Sequence, residues 1–134
     1  MMVSVTKVFE ISYAHYLQDY EGKCKNLHGH NAKIELEFGD INFAERNVVD
    51  PDHTVIHTQS SGMVMDFTVI KNKAEKLVKD TLDHKYLNDI PYFLETRPTA
   101  ENMCVLIMRV LSHFENLIRV RVWEDCDSYA EWRL

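Results

Sequence analysis

His28 and His30 stand two apart in the segment Cys24-Lys25-Asn26-Leu27-His28-Gly29-His30, so on a β-strand both imidazoles leave the same face and can share one ion. Gly29 between them carries no side chain and lets backbone or ligand come close. Cys24 is flanked by Lys23 and Lys25, and two ammonium groups near a thiol favour its thiolate, the form that acts as base or nucleophile. A metal needs more than two imidazoles, and His15 ends a second alternating run, Phe9, Ile11, Tyr13, His15. Three His with an open fourth position suit a catalytic zinc, whereas a structural zinc is usually closed by four protein ligands. Cys24 is then either a reactive thiol beside the metal or the fourth ligand that closes it. The plain alternative is a pair of exposed strand histidines.

Three further groups bear chemistry. Glu124 ends a face formed by Ile118, Val120 and Val122; a carboxylate there either terminates a strand at water or binds a donor-rich partner, such as the amidine-like edge of a heterocycle. Asp83 beside His84 is either a helix-end hydrogen-bonding pair or, with Cys24, a proton relay. His53 and His57 are four apart, a helical metal spacing, but Pro51 makes helix unfavourable there and they read as solvent-exposed.

These residues need a scaffold, and the patterning supplies one. Residues 3–15 alternate, with Val3, Val5, Lys7, Phe9, Ile11, Tyr13 and His15 on one face. From His28 to Phe38 a second strand puts His30, Ala32, Ile34, Leu36 and Phe38 together, so the histidines begin on the apolar side of a sheet. Residues 39–62 form a long connection, with a β-ribbon at Asn47 to Val49 and Thr54 to His57 around Asp50-Pro51-Asp52. Met63 to Met65 reads as a short strand. Asp66 caps a helix whose inner stripe is Phe67, Ile70, Ala74, Leu77, Val78 and Thr81, with Lys71, Lys73, Glu75, Lys76 and Lys79 facing away as a solvated surface. Pro91 to Pro98 is a connector. Thr99 opens a second helix with Glu101 in its first turn and Met103, Ile107, Val110, Leu111 and Phe114 buried. Residues 117–124 alternate again, and Tyr129 to Leu134 pairs back as a last strand. The order predicts an α+β fold: an antiparallel β-sheet with two helices packed on one face, in a single domain over 1–134.

Composition narrows the function. With 134 residues and 46% hydrophobic content the chain builds a core without staples, and three cysteines far apart point to free thiols in a reducing compartment. A net charge of -6 argues against general nucleic-acid or anionic-membrane binding and leaves small molecules or proteins as partners. The N-terminus lacks a signal-peptide core, so a cytoplasmic location is expected.

The motifs coincide with one family. Tyr13-Ala14-His15, Cys24 to His30, Gly62-Met-Val-Met-Asp66-Phe67, Leu82-Asp83-His84-Lys-Tyr-Leu87-Asn88, Pro98-Thr99-Ala-Glu101-Asn102 and Val122-Trp-Glu124, in that order over most of the chain, resemble the 6-pyruvoyltetrahydropterin synthase and 6-carboxytetrahydropterin synthase family of the tunnelling fold. The resemblance implies zinc on His15, His28 and His30. It implies proton transfer by Cys24 with Asp83 and His84, and a pterin held by Glu124 with help from Thr99 and Glu101. It also implies a homo-oligomeric barrel, typically a homohexamer of two stacked trimers, with sites at subunit interfaces.

Three residues between the Cys and the His-Gly-His pair are similar to the bacterial 6-carboxytetrahydropterin synthase branch of queuosine biosynthesis, a lyase acting on dihydroneopterin triphosphate. The pyruvoyl enzyme is the alternative product branch, and a non-catalytic zinc or pterin-binding module the alternative class. Tyr13 stands where the family usually has a small residue.

Overall fold

The computed structural model describes residues 1–49, 55–58 and 62–134, with the backbone only at Cys24, Val48, Val49 and 55–58. Two long strands, β1 (Val3–His15) and β2 (His28–Asp40), pair antiparallel over their whole length, from Val3 opposite Asp40 to His15 opposite His28. Their alternation sorts side chains as the sequence predicts: Phe9, Ile11, Tyr13 and His15 are buried, and Ala32, Ile34, Leu36 and Phe38 are wholly so.

Between β2 and the next long helical run lie a short helix α1 (Phe43–Arg46) and a two-stranded ribbon of β3 (Asn47–Val49) and β4 (Val55–Thr58). The ribbon agrees with the sequence reading. Its Asp50-Pro51-Asp52 turn and His53 lie outside the described residues, and the side chain of His57 is likewise not described. Met63 to Met65 is not a strand: the backbone bends there before Asp66, whose carboxylate accepts from the Thr68 N–H at 2.7 Å as an N-cap.

The helical run then passes from α2 (Phe67–Val69) through a π-helix (Ile70–Glu75) into α3 (Lys76–Leu82). The wider π turn advances fewer degrees per residue and shifts the helical phase. That overturns two expectations: Phe67 is exposed, and Glu75, expected to face water, is buried and paired with Lys79 at 3.1 Å. Ile70, Ala74, Val78 and Leu82 form the inward stripe. His84, in the left-handed region at φ 56°, a conformation histidine tolerates better than most residues, then turns the chain into the edge strand β5 (Lys85–Tyr86).

Residues 91–98 are more than a connector. Pro91 opens a helix α4 (Pro91–Glu95), where its fixed φ and missing N–H suit the first turn, and Phe93 is fully buried from it. Helix α5 (Ala100–Val110) follows, capped by Thr99, whose hydroxyl accepts from the Asn102 N–H.

Strands β6 (Leu117–Trp123) and β7 (Tyr129–Arg133) complete a five-stranded sheet in the order β5-β1-β2-β6-β7. All pairings are antiparallel except that β5 runs parallel to β1, so the α+β sheet is mixed at one edge. A register shift at Glu37/Phe38 sets Leu117 opposite Phe38, which buries Leu117 and leaves Ile118, expected on the inner face, only half-buried.

The helices cover one face of this sheet, and Met103, Cys104, Ile107 and Leu111 meet the β1, β2 and β6 side chains in one core. The other face is a charged ladder. Arg121 lies between Glu35 and Glu131, and Arg119 lies opposite Glu37 and is bonded to it, so opposite charges sit across these strands; Arg133, opposite Arg119 on β7, is paired with Glu131 on its own strand.

Each fully buried aliphatic side chain contributes roughly 1.5–3 kcal/mol. Because β2 is central and Leu36 has no exposed surface, Leu36→Ala is expected to cost about 2–5 kcal/mol in chemical denaturation. A loss well under 1 kcal/mol would mean that the sheet and helices are not packed as described.

Candidate metal and pterin site

The end of the β1–β2 ladder builds the site. His15 and His28 are direct cross-strand partners, and His30 lies opposite Tyr13 on the same face. One ring nitrogen from each of His15, His28 and His30 falls within 4.8 Å of the others, an arrangement able to hold a metal ion.

Hydrogen bonding decides which nitrogens are free. His15 Nδ1 lies 2.7 Å from the Pro98 carbonyl oxygen, and His28 Nδ1 lies 2.6 Å from that of Asn26. A carbonyl only accepts, so each Nδ1 carries the proton in the neutral ring and each Nε2 presents a lone pair. Yet the two Nε2 atoms stand 2.9 Å apart. Two lone pairs at that distance repel unless a cation lies between or beside them. Carbonyl-oriented imidazoles of this kind are the usual second layer of a metal centre, fixing tautomer and ring direction. The donor set, one imidazole nitrogen from each of three histidines, therefore fits a divalent metal of the zinc type.

Glu124 flanks this cluster. Its Oε1 lies 3.7 Å from both His15 Nε2 and His30 Nε2, and its side chain is about one-third exposed at 34%. It also lines a cleft of about 140 Å³ with Ala100, Glu101, Ser128, Tyr129 and Ala130. Thus Glu101 and Glu124, far apart in sequence, border one space. Thr99 sits beside it as the α5 cap, one residue after the carbonyl that orients His15.

Asp83 and His84 form a pair, with His84 Nδ1 3.1 Å from Asp83 Oδ2, but they lie elsewhere. Asp83 Oδ1 accepts from the Ser12 N–H and the His84 N–H donates to the Ser12 carbonyl, which fastens the pair to the outer edge of β1. Burial alone would raise the Asp83 carboxyl; the Ser12 and His84 hydrogen bonds, with the charges of His84 and Lys79, outweigh it and hold the group below the ordinary carboxylate range. His84 is 81% exposed, and among the described residues no contact links the pair to the three-His cluster. Cys24 lies on a 3₁₀ turn (Lys23–Lys25) just before β2; its side chain is outside the described residues.

Sequence reasoning missed several positioning groups. The Pro98 and Asn26 carbonyls have no side-chain signal to find. Asn88, buried, accepts from the Tyr16 N–H and donates to the Tyr16 carbonyl, both at 3.0 Å, and so clamps the backbone just after His15. Tyr13 carries a buried hydroxyl without a partner among the described residues. Burial raises its ionisation well above the ordinary phenol range, and the charge of Glu124 adds to this.

A family model described as 6-pyruvoyl tetrahydropterin synthase matches residues 4–134. The chain belongs to that family. It is 38% identical over 130 residues to a 6-carboxy-5,6,7,8-tetrahydropterin synthase of Synechocystis sp., covering 96% of this chain and 91% of the relative. A protein of the same name from Haemophilus influenzae is 28% identical over 98% of this chain and 99% of its own length. The human 6-pyruvoyl tetrahydrobiopterin synthase is 34% identical over 90% of this chain and 81% of its own. Among solved structures, the Caenorhabditis elegans 6-pyruvoyl tetrahydropterin synthase superposes with a TM-score of 0.77 at 26% identity, over 100% of this chain and 96% of that one. The family is one of synthases, and the relatives include both product branches. No described helix is long and apolar enough to cross a membrane.

Burial pushes the His15 imidazole down from its ordinary 6.5 to about 4; the Pro98 carbonyl opposes this, and the neighbouring His28 and His30 rings reinforce it. His15 is therefore neutral at pH 7 and ready to ligate. Between pH 6.5 and 4 the unfolded chain takes up a proton at this position that the folded chain refuses, so stability of the metal-free protein falls as pH falls through that window. His15→Asn is expected to flatten this slope in denaturation series at several pH values. An unchanged slope would assign the pH dependence to other groups.

Proposed function

We propose that this chain is a zinc-dependent lyase that converts 7,8-dihydroneopterin triphosphate and water to 6-carboxy-5,6,7,8-tetrahydropterin, acetaldehyde and triphosphate, a step of queuosine biosynthesis. The observation that carries the proposal is the convergence of the His15, His28 and His30 ring nitrogens, with the Nε2 atoms of His15 and His28 2.9 Å apart and Glu124 at their flank. The Synechocystis and Haemophilus relatives favour the carboxy product.

In this reading His15, His28 and His30 hold zinc. Zinc supplies Lewis acidity, polarising side-chain oxygens of the substrate and acidifying the neighbouring C–H. Cys24, between Lys23 and Lys25, takes up that proton as a thiolate. Asp83 orients the His84 imidazole, which shuttles a proton at neutral pH. Because the pair sits on the β5 side of β1 and makes no contact with its own triad among the described residues, it serves the site of a neighbouring subunit in a homo-oligomer. Glu124 accepts two N–H donors from the guanidine-like edge of the pterin, and Thr99 and Glu101 border the ring.

Incubation of zinc-loaded protein with dihydroneopterin triphosphate should yield 6-carboxytetrahydropterin by mass spectrometry. A 6-pyruvoyl product would assign the chain to the other branch, and no turnover would favour a binding module. Zinc content should fall when His15, His28 or His30 is changed to Ala and persist in Cys24→Ala; loss of zinc in the latter would make Cys24 a ligand and remove it from the proton-transfer step.

Glu124→Gln replaces one acceptor with a donor and leaves an N–H of the ring unpaired. Calorimetry with a pterin such as biopterin is expected to show binding weakened by about 2–4 kcal/mol with zinc content unchanged. Equal affinity would mean that the ring is held elsewhere.

A further inference from the structure

His15 is the last rung of the β1–β2 ladder, paired with His28, and β5 leaves β1 one residue earlier, at Ala14. Beyond His15 the chain enters the 16–27 connection, so this ligand stands where a strand is most prone to fray. The Pro98 carbonyl orients its ring but does not hold its backbone. The backbone is held one residue further on. Asn88, only 6% exposed, accepts from the Tyr16 N–H through Oδ1 and donates to the Tyr16 carbonyl through Nδ2, each at 3.0 Å. Both halves of one carboxamide are thus spent on both backbone groups of one residue, as a hydrogen-bonded residue of an antiparallel ladder would spend its own N–H and C=O.

Asn88 is itself anchored. It lies in a 3₁₀ turn, Leu87–Asp89, whose Leu87 is fully buried, and the neighbouring Tyr86 ring stacks on that of Tyr16 with centroids 6.4 Å apart and an interplanar angle of 22°. At the other end of the same segment, Asp83 and His84 bind the backbone of Ser12. Residues 83–88 therefore grip β1 on both sides of His15, at Ser12 before it and at Tyr16 after it.

We propose that Asn88 is a positioning residue for the metal: by closing the end of β1 it keeps His15 Nε2 beside His28 Nε2 and the His30 ring, and so raises zinc affinity. This rests on the reading of the three histidines as a zinc site. Coupling of this kind is reciprocal, so zinc tightens the clamp by the factor by which the clamp tightens zinc. The Tyr16 amide is then better protected from exchange with zinc than without it.

The test measures zinc dissociation constants, by competition with a chromophoric chelator, for the parent, Asn88→Ala and Phe38→Leu, with the metal-free thermal midpoint of each. Phe38 is wholly buried at the opposite end of β2 from His28 and His30, so its variant destabilises the fold without touching the clamp. Asn88→Ala should weaken zinc about tenfold, the low end of the range for groups that orient metal ligands, while Phe38→Leu keeps the parent affinity. Asn88→Asp keeps the size and the acceptor for the Tyr16 N–H but loses the donor; its affinity should lie between parent and alanine, and it carries the test if the alanine variant does not fold. Hydrogen exchange should show the Tyr16 amide slowed by zinc in the parent. Parent zinc affinity in the Asn88 variants, or no zinc effect on the Tyr16 amide, would overturn the proposal and make the clamp a structural cap. Equal loss in Asn88→Ala and Phe38→Leu would overturn it too, because general destabilisation would then be the cause. A parent that binds no zinc would instead overturn the zinc reading of the triad, and this inference with it.

Discussion

The unshared lone pairs of His15 and His28 set the terms for the rest of the molecule. Each ring spends its Nδ1 proton on a backbone carbonyl, and β1–β2 pairing then holds the two Nε2 atoms 2.9 Å apart. Such a contact is unfavourable in isolation and persists because the ladder that imposes it is long and buried: thirteen residues of each strand pair in one register, and a slip of one would turn every core side chain to the opposite face. Stability invested in Ile34, Leu36 and Phe38 is thus converted into preorganisation at the far end of the same strands. A cation held by these three histidines would meet ligands already aimed, with little ordering left to oppose binding.

The remaining parts of the site are tied to this ladder by backbone groups. Pro98 brings the α5 cap, and with it Thr99 and Glu101, against His15, while Asn88 fixes the strand end through both backbone atoms of Tyr16. Glu124 arrives from β6 at the flank of His15 and His30. The Asp83–His84 pair is held just as firmly, by two hydrogen bonds to Ser12, but outward. It stands on the β5 side of β1, and among the described residues no contact joins it to the three histidines of its own chain.

Much of this was legible in the sequence because strand alternation is a local property. Period-two patterning put Tyr13 and His15 on one face and His30 with Ala32 to Phe38 on another, and the two faces proved to be the same one. The helical reading was less complete. A stripe at ordinary helical spacing passes through the π-helix, whose wider turn moved Glu75 inward and left Phe67 outside; nothing in single-residue preference marks such a turn. Helix α4 was hidden behind Pro91 and Pro98, although Pro91 is a favourable first-turn residue. The bulge at Ile118 displaced one side chain for a similar reason, since a register shift depends on the partner strand.

What the sequence determined by itself was the chemical inventory and its order: three imidazoles at strand spacing, a thiol between two lysines, a carboxylate ending an apolar face, and an Asp-His pair. Those follow from residue type and short-range periodicity, which need no fold to be read. What only the tertiary structure decided was which lone pairs face which. The Nε2 donors of His15 and His28, the approach of Glu124, the shared cleft of Glu101 and Glu124, and the unpaired hydroxyl of Tyr13 all depend on contacts between segments far apart in the chain. Backbone carbonyls such as those of Pro98 and Asn26 settle them, and a carbonyl is common to every residue, so its role comes from its place in the fold.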